Sequence, residues 1–67
     1  MENLKLNNRY NNTQNNSIVE ITKIEGDWVT INKVNDDNTI SNDFMNISVM
    51  SVREFTKYIG LGLYVSI

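Results

Sequence analysis

The sequence predicts a mainly β domain: a small barrel or a strongly bent antiparallel sheet of about five short strands, with one short helix near the C-terminus. Apolar and polar residues alternate on both sides of Gly26, and they alternate again from Leu61 to Ile67. A serine–glutamate capping pattern begins at Ser51, between these two regions. Alternation with a period of two is typical of half-buried strands, whereas the capping pattern marks the start of a helix. At 67 residues, the chain is long enough for one domain only.

The stretch 17–34 is predicted to be a β-hairpin around which the rest of the chain is organised. Its loop, residues 24–26, can close as a type I turn with a bulge, because glycine adopts a positive φ at little cost. This loop pairs Ile21 with Val29, and a shift of one residue would exchange the two faces of the hairpin. One face then carries Val19, Ile21, Val29 and Ile31, and the other carries Glu20, Thr22, Trp28 and Thr30.

The amino-terminal part, residues 1–16, is predicted to hold a short edge strand that Arg9 and Tyr10 finish. A frayed terminus is the alternative, because terminal segments are often poorly ordered. Residues 11–16 are Asn, Thr and Gln, without periodicity or charge. We expect them to form a solvated loop.

After the hairpin, residues 35–38 predict a turn and residues 39–41 predict a brief pairing. Phe44 to Met50 is the next predicted strand, with Met45, Ile47 and Val49 on one face. These elements form a three-stranded meander with the hairpin.

The clearest local signal is the helix start at Ser51. Glu54 follows three residues later, so that each side chain can cover an unpaired backbone N–H group. Met50 and Phe55 occupy the two positions of a hydrophobic staple, and Gly60 is placed as the C-terminal cap. A helix of about two turns is unstable alone, so it must dock through its apolar face. That face consists of Val52, Phe55 and Ile59.

The last predicted strand is residues 61–67, which either closes the sheet against the N-terminal strand or pairs with another subunit. The chain has no cysteine and no histidine, which excludes disulfides and the commonest zinc ligands as stabilising elements. A domain this small then depends on tight packing or on self-association. We therefore expect a homo-oligomer formed through residues 61–67.

Five short strands with a helical turn before the last one match an SH3-like small barrel. Two segments, Gly26-Asp27-Trp28-Val29-Thr30-Ile31 and Met50-Ser51-Val52-Arg53-Glu54-Phe55, resemble small phage and prophage proteins of that type. The resemblance covers residues 18–59, and its motifs are short and structural. It implies a compact accessory or inhibitory protein from a mobile element, and no catalytic residues come with it.

Composition restricts the class of function. The formal charge is −2 and the isoelectric point is near 4.8, which gives no electrostatic footprint for a phosphate backbone. No apolar run approaches the length of a bilayer span, and no signal-peptide pattern opens the chain, so we expect a cytoplasmic protein without a membrane partner. The usual general base and thiol nucleophile are absent, which argues against an enzyme. We expect no cofactor and no metal, although Asp36, Asp37, Asn38 and Asp43 could weakly hold a divalent ion.

Trp28 is the most informative candidate for a binding site. It lies on the polar face of the hairpin, where it either covers a second small core or serves as a binding anchor, since tryptophan and tyrosine are enriched at interface hot spots. The remaining candidates are the aromatic residues Tyr10 and Tyr64 and an acidic rim of Glu25, Asp27, Asp36 and Asp37.

Three functions follow as hypotheses. The first is a protein-binding module that inhibits a host factor or engages a phage protein. The second is a nucleic-acid or nucleotide binder, in which bases stack on strand aromatics. Its stacking residues are Trp28, Tyr10 and Tyr64, and its phosphate contacts are Lys23, Lys33 and Arg9. The third is a structural subunit of a phage particle. The negative charge disfavours the second hypothesis.

Overall fold

The computed structural model describes residues 4–67 and contains one open antiparallel sheet of five strands with one helix near the C-terminus. The strand order is β4-β3-β2-β1-β5, so β4 and β5 form the two edges. This confirms the predicted mainly β class, in the open-sheet form. The elements are β1 (Arg9–Asn12), β2 (Ser17–Glu25), β3 (Trp28–Val34), a 3₁₀ turn (Phe44–Asn46), β4 (Ile47–Ser51), α1 (Val52–Gly60) and β5 (Tyr64–Ser66).

The hairpin between β2 and β3 has a two-residue loop, Gly26-Asp27, with Glu25 paired to Trp28. Gly26 takes a φ of +58°, while Asp27 has no positive φ. This is the pattern of a type II′ turn, whose twist matches that of the two strands. The predicted three-residue loop is therefore wrong, although Gly26 supplies the positive φ as expected.

A bulge in β2 reconciles this turn with the apolar alternation. Ile24 pairs with Val29, and Ile21 pairs with Ile31, so that Thr22 is the extra residue between them. Without that residue, strict alternation from Ile24 would turn Thr22 toward the core instead of Ile21. The predicted pairing of Ile21 with Val29 is thus wrong, but the predicted apolar face is right, since Ile21, Val29 and Ile31 are buried together.

The amino-terminal strand β1 lies inside the sheet, between β2 and β5. Asn11 and Asn12 belong to this strand, and the connection to β2 is the tight turn of residues 13–16, in which Asn16 adopts a φ of +58°. The predicted edge strand and the predicted loop beginning at residue 11 are therefore both corrected. Residues 1–3 of the predicted strand lie outside the described residues.

The helix begins after the predicted serine cap, Ser51, and its last residue is Gly60. The predicted C-terminal cap at Gly60 is wrong, because the capping glycine is Gly62, two residues further on. The Ser51 hydroxyl accepts a hydrogen bond from the Glu54 N–H at 3.0 Å. At the other end, the Gly62 N–H donates to the Ile59 carbonyl, and the Leu63 N–H donates to the Tyr58 carbonyl. These two bonds form a Schellman motif, which needs the positive φ that Gly62 has at +79°.

The core lies between α1 and one face of the sheet. Phe55 of α1 is completely buried, and the Tyr10 ring meets it edge-on with centroids 5.2 Å apart. Tyr64 of β5 packs on the same ring at 5.0 Å. The buried cluster is Tyr10, Val19, Ile21, Val29, Ile31 and Phe55. We call this side of the sheet the core face and the opposite side the outer face.

The sheet is strongly bent. Ser48 of β4 and Tyr64 of β5 line the same cavity on the core face. Four strand spacings separate these edges, which would place them about 19 Å apart in a flat sheet. The two edges therefore curve toward each other around the core face.

The one helix has nine residues, and within residues 4–67 no helix is both long and apolar enough to cross a bilayer.

The predicted strand over residues 44–50 begins later, at Ile47. The Asp43 carboxylate accepts a hydrogen bond from the Met45 N–H at 3.0 Å and caps a 3₁₀ turn that occupies residues 44–46. Ile47 and Val49 share a face, as predicted. It is the outer face, because they pair with Asn32 and Thr30.

The brief pairing predicted for residues 39–41 is present. Ile40 forms an isolated bridge with Val34, and the Ser41 N–H donates to the Lys33 carbonyl at 2.9 Å. This segment covers part of the outer face, where Asn32 and Val34 are buried. The outer face is therefore covered at this end and open at the Trp28 end.

We expect Ser51→Ala to lower the free energy of unfolding by about 1 kcal/mol, because the Glu54 N–H loses its capping acceptor. Urea denaturation followed by far-UV circular dichroism measures this change. Ser66→Ala, at an exposed position of β5, is the control and should have little effect. Equal stability of the Ser51→Ala variant and the unmodified protein would contradict the capping role.

Candidate functional site

Trp28 opens β3 with its side chain on the outer face, on the side of the sheet opposite α1. Its relative exposure is 57%. Of the two interpretations of this residue, the structure therefore excludes burial over a second core. The backbone of Trp28 is paired on both sides, with Glu25 of β2 and with Ser51 of β4. A ring carried by a doubly paired strand loses less conformational entropy on binding than one carried by a loop.

The neighbours of Trp28 are polar and charged. Glu25 lies directly opposite it, and Asp27 precedes it in the type II′ turn. Lys23 forms an exposed ion pair with Glu25 at 3.3 Å, which contributes little in water. We call the set Glu25, Asp27, Trp28 and Thr30 the Trp28 surface.

The predicted acidic rim is divided in two. Asp36 and Asp37 follow β3, whereas Trp28 opens that strand. Seven strand residues place these carboxylates about 20 Å from the Trp28 surface. The Thr39 hydroxyl donates to the Asp37 carboxylate and, with the Thr39 N–H, lowers the pKa of that group. Asp37 therefore stabilises its own turn and is not part of the Trp28 surface.

The two candidate tyrosines also lie away from Trp28. Tyr10 is only 5% exposed and packs against Phe55, so its prediction as a surface residue is wrong. Tyr64 is half-buried on the core face, on the other side of the sheet from Trp28. Burial raises the pKa of the Tyr64 hydroxyl, and the neighbouring Tyr58 raises it further. Both rings contribute to packing around the helix.

A polar cavity of about 150 Å³ lies on the core face beyond the part that α1 covers. Lys33 and Tyr64 line it, together with asparagine and serine side chains.

Arg9 lies on the outer face, where its Nε donates to the Glu20 carboxylate at 2.8 Å and its Nη1 donates to the Asn38 amide oxygen. The predicted basic residues Lys33 and Arg9 are thus not brought to the Trp28 surface.

Metal-ligating side chains do not cluster in residues 4–67: no group of three or more Asp or Glu is placed to hold an ion. Asp43 caps the 3₁₀ turn, and Asp37 binds Thr39. Each of these carboxylates has a local backbone or hydroxyl donor in its own turn.

Val49 is an exposed apolar residue near Trp28 that the sequence did not identify as a candidate for binding. It pairs with Thr30 on the outer face and is 62% exposed, so it extends the apolar area beyond Trp28 toward the edge of the sheet. The sequence predicted that Ile47 and Val49 share one face of a strand. It did not indicate that this face is exposed to solvent at Val49. No family model, curated protein or solved structure that was compared with the chain matches it.

Proposed function

We propose that the protein is a non-catalytic protein-binding module and that the Trp28 surface contacts its partner. The exposed indole on a doubly paired strand is the observation that carries this proposal. Tryptophan is among the residues most enriched at binding hot spots, because its large ring fills an apolar pocket. A fixed backbone reduces the ordering cost that binding incurs.

The charges of the Trp28 surface specify the partner. Glu25 pairs with Trp28 and Asp27 precedes it, so this end of the hairpin carries two carboxylates, and Lys23 forms an ion pair with Glu25. An apolar pocket with a basic rim on the partner complements this arrangement. The proposal extends to the role that the resemblance implies, an accessory or inhibitory protein of a mobile element that acts on a host protein.

The positions of the basic and aromatic residues favour a protein partner over a nucleic acid. Two residues of the nucleic-acid hypothesis have structural roles: Arg9 binds Glu20 and Asn38, and Tyr10 packs in the core. Tyr64 and Trp28 face opposite sides of the sheet, so one strand of bases cannot stack on both. Binding to phosphates depends mainly on released counterions, and this chain is acidic.

Affinity capture from a nuclease-treated host lysate tests the proposal, with the unmodified protein and the variant Trp28→Ala as baits. We expect a protein that the unmodified bait recovers and that Trp28→Ala recovers at least about tenfold less, as for the loss of a hot spot. Phe44→Ala is the matched control, because Phe44 is an exposed aromatic residue outside the Trp28 surface. It should recover the same protein as the unmodified bait.

Two outcomes contradict the proposal. Equal recovery by all three baits removes Trp28 from the binding site. Saturable binding of a labelled single-stranded oligonucleotide, weakened by salt and by Trp28→Ala, favours the nucleic-acid hypothesis instead.

A further inference from the structure

The outer edge of β4 carries unpaired backbone groups. The Val52 N–H donates to the Asp27 carbonyl at 2.7 Å, which identifies these two residues as a hydrogen-bonded pair of the β3–β4 ladder. Hydrogen-bonded and non-hydrogen-bonded pairs alternate along an antiparallel ladder. Ile47, Val49 and Ser51 therefore direct their backbone groups away from β3. Among residues 4–67, no strand pairs with this edge.

This edge also lacks the usual protection against pairing. Natural edge strands carry charged residues, prolines or bulges that prevent a second chain from adding to the sheet. All 14 charged residues of the chain lie outside residues 44–52. Val49, at the centre of β4, exposes 62% of its surface on the outer face. The edge is thus open, uncharged and apolar.

We propose that two copies of this chain pair through β4 in an antiparallel arrangement, about a two-fold axis at Val49. The two sheets then continue into one another, and the two Val49 side chains lie opposite each other on the outer face. Antiparallel pairing about a two-fold axis at Val49 sets Val49 opposite its own copy and every other residue of β4 opposite another residue of the same strand. An uncharged strand is therefore compatible with itself, whereas a charged one is not.

The free backbone groups of β4 fit this axis. Each Val49 N–H donates to the Val49 carbonyl of the partner subunit, as in any hydrogen-bonded antiparallel pair. Two residues along the strand from the axis, Ile47 lies opposite Ser51 of the partner subunit. The Ile47 N–H is already used, since it donates to the Phe44 carbonyl, and the carbonyl of the N-cap Ser51 accepts within the helix. The Ser51 N–H and the Ile47 carbonyl remain, and these are the two groups that face each other across the interface.

The sequence predicted self-association through the terminal strand, but β5 offers fewer backbone groups for pairing with a second copy than β4 does. β5 has three residues, against five in β4, and like β4 it is paired along one edge, in its case with β1. This confirms the first of the two alternatives for the terminal strand, closure of the sheet against the N-terminal strand. Val65 is 48% exposed and gives a matched position for a control substitution on the other edge.

The length of β4 predicts a weak dimer. A strand of five residues is about 17 Å long, and pairing along it buries less than the roughly 1,200 Å² at which stable interfaces begin. Association is therefore expected in the micromolar to millimolar range, so the measurement must cover concentrations from about 10 μM to about 1 mM.

Sedimentation equilibrium of the whole chain over this range tests the proposal. We expect a monomer–dimer equilibrium for the unmodified protein and at least a tenfold weaker dimer for Val49→Lys and for Val49→Glu, each measured alone. A mixture of these two variants should dimerise again, because the two-fold axis sets the lysine opposite the glutamate. Val65→Lys should leave the dimer unchanged. Circular dichroism confirms that each variant is folded.

A monomer at the highest concentration overturns the proposal. So does a dimer that Val49→Lys leaves intact, a mixture of Val49→Lys and Val49→Glu that stays monomeric, or a dimer that Val65→Lys abolishes. These experiments need no partner protein and leave Trp28 unchanged. Their failure is therefore distinct from a failure of the proposed protein-binding function.

Discussion

Phe55→Ala is expected to lower the free energy of unfolding by about 3–5 kcal/mol, because it removes the one completely buried aromatic ring and leaves a cavity under α1. Tyr10 and Tyr64 both pack against that ring and would lose their contact. A domain of 67 residues has a total stability of roughly 3–10 kcal/mol. The substitution should therefore unfold a large fraction of the protein at room temperature.

Urea denaturation followed by far-UV circular dichroism measures this effect. Phe44→Ala is the matched control, since Phe44 is 81% exposed and its loss should change stability by less than about 0.5 kcal/mol. Where Phe55→Ala does not fold, Phe55→Leu keeps an apolar side chain and provides a measurable intermediate loss. Equal effects of the substitutions at Phe44 and Phe55 would show that the helix does not dock through Phe55.

Asn32→Leu is expected to have the next largest effect, because Asn32 connects β3 to the segment that covers the outer face. Its amide donates to the Ser41 carbonyl at 2.9 Å, and its amide oxygen accepts from the Thr22 hydroxyl at 2.6 Å. Leucine has a similar volume but makes neither bond. Each buried group that is left unpaired costs about 1–3 kcal/mol. Thr22 retains a longer bond to the Thr30 carbonyl, so the loss should come mainly from the Ser41 side.

The same denaturation experiment separates this network from a general effect of adding an apolar residue. Asn42→Leu, at an exposed position beside the network, should change stability by less than about 0.5 kcal/mol. Combining Asn32→Leu with Thr22→Val removes the hydroxyl as well as its acceptor and should recover little of the loss, because the Thr22 hydroxyl keeps its bond to the Thr30 carbonyl in Asn32→Leu. A neutral Asn32→Leu variant would show that the covering segment is held without these bonds.

The face on which Trp28 lies was predictable from the sequence, and its exposure was not. Alternation in β3 separates Trp28 and Thr30 from Val29 and Ile31, and this separation does not depend on the turn. Exposure depends on what lies over the outer face. Residues 39–41 cover that face at Asn32 and Val34 and do not extend to Trp28.

The composition of the site was predicted less well. The predicted acidic rim grouped four carboxylates only because all of them lie in polar turns. Two of these residues precede β3 and two follow it, so they lie at opposite ends of that strand. Tyr10 follows a polar segment and precedes another, which made it look like a surface residue. Its burial depends on Phe55, a residue that is distant in sequence and that only the docked helix brings to it.

The sequence by itself determined the elements whose signals are local: the apolar face of the hairpin, the serine cap of α1 and the mainly β class. These signals depend on strand periodicity and on hydrogen bonds between residues a few positions apart. The tertiary structure decided the bulge at Thr22, the two-residue turn, the interior position of β1 and the burial of Asn32. Each of these depends on pairing or packing between distant segments. The bulge illustrates the physical reason. The two-residue turn alone would direct Thr22 into the core, and inserting Thr22 as an extra residue in β2 returns Ile21 to the core face. The position of that extra residue depends on the pairing of β2 with β3, which local periodicity does not specify.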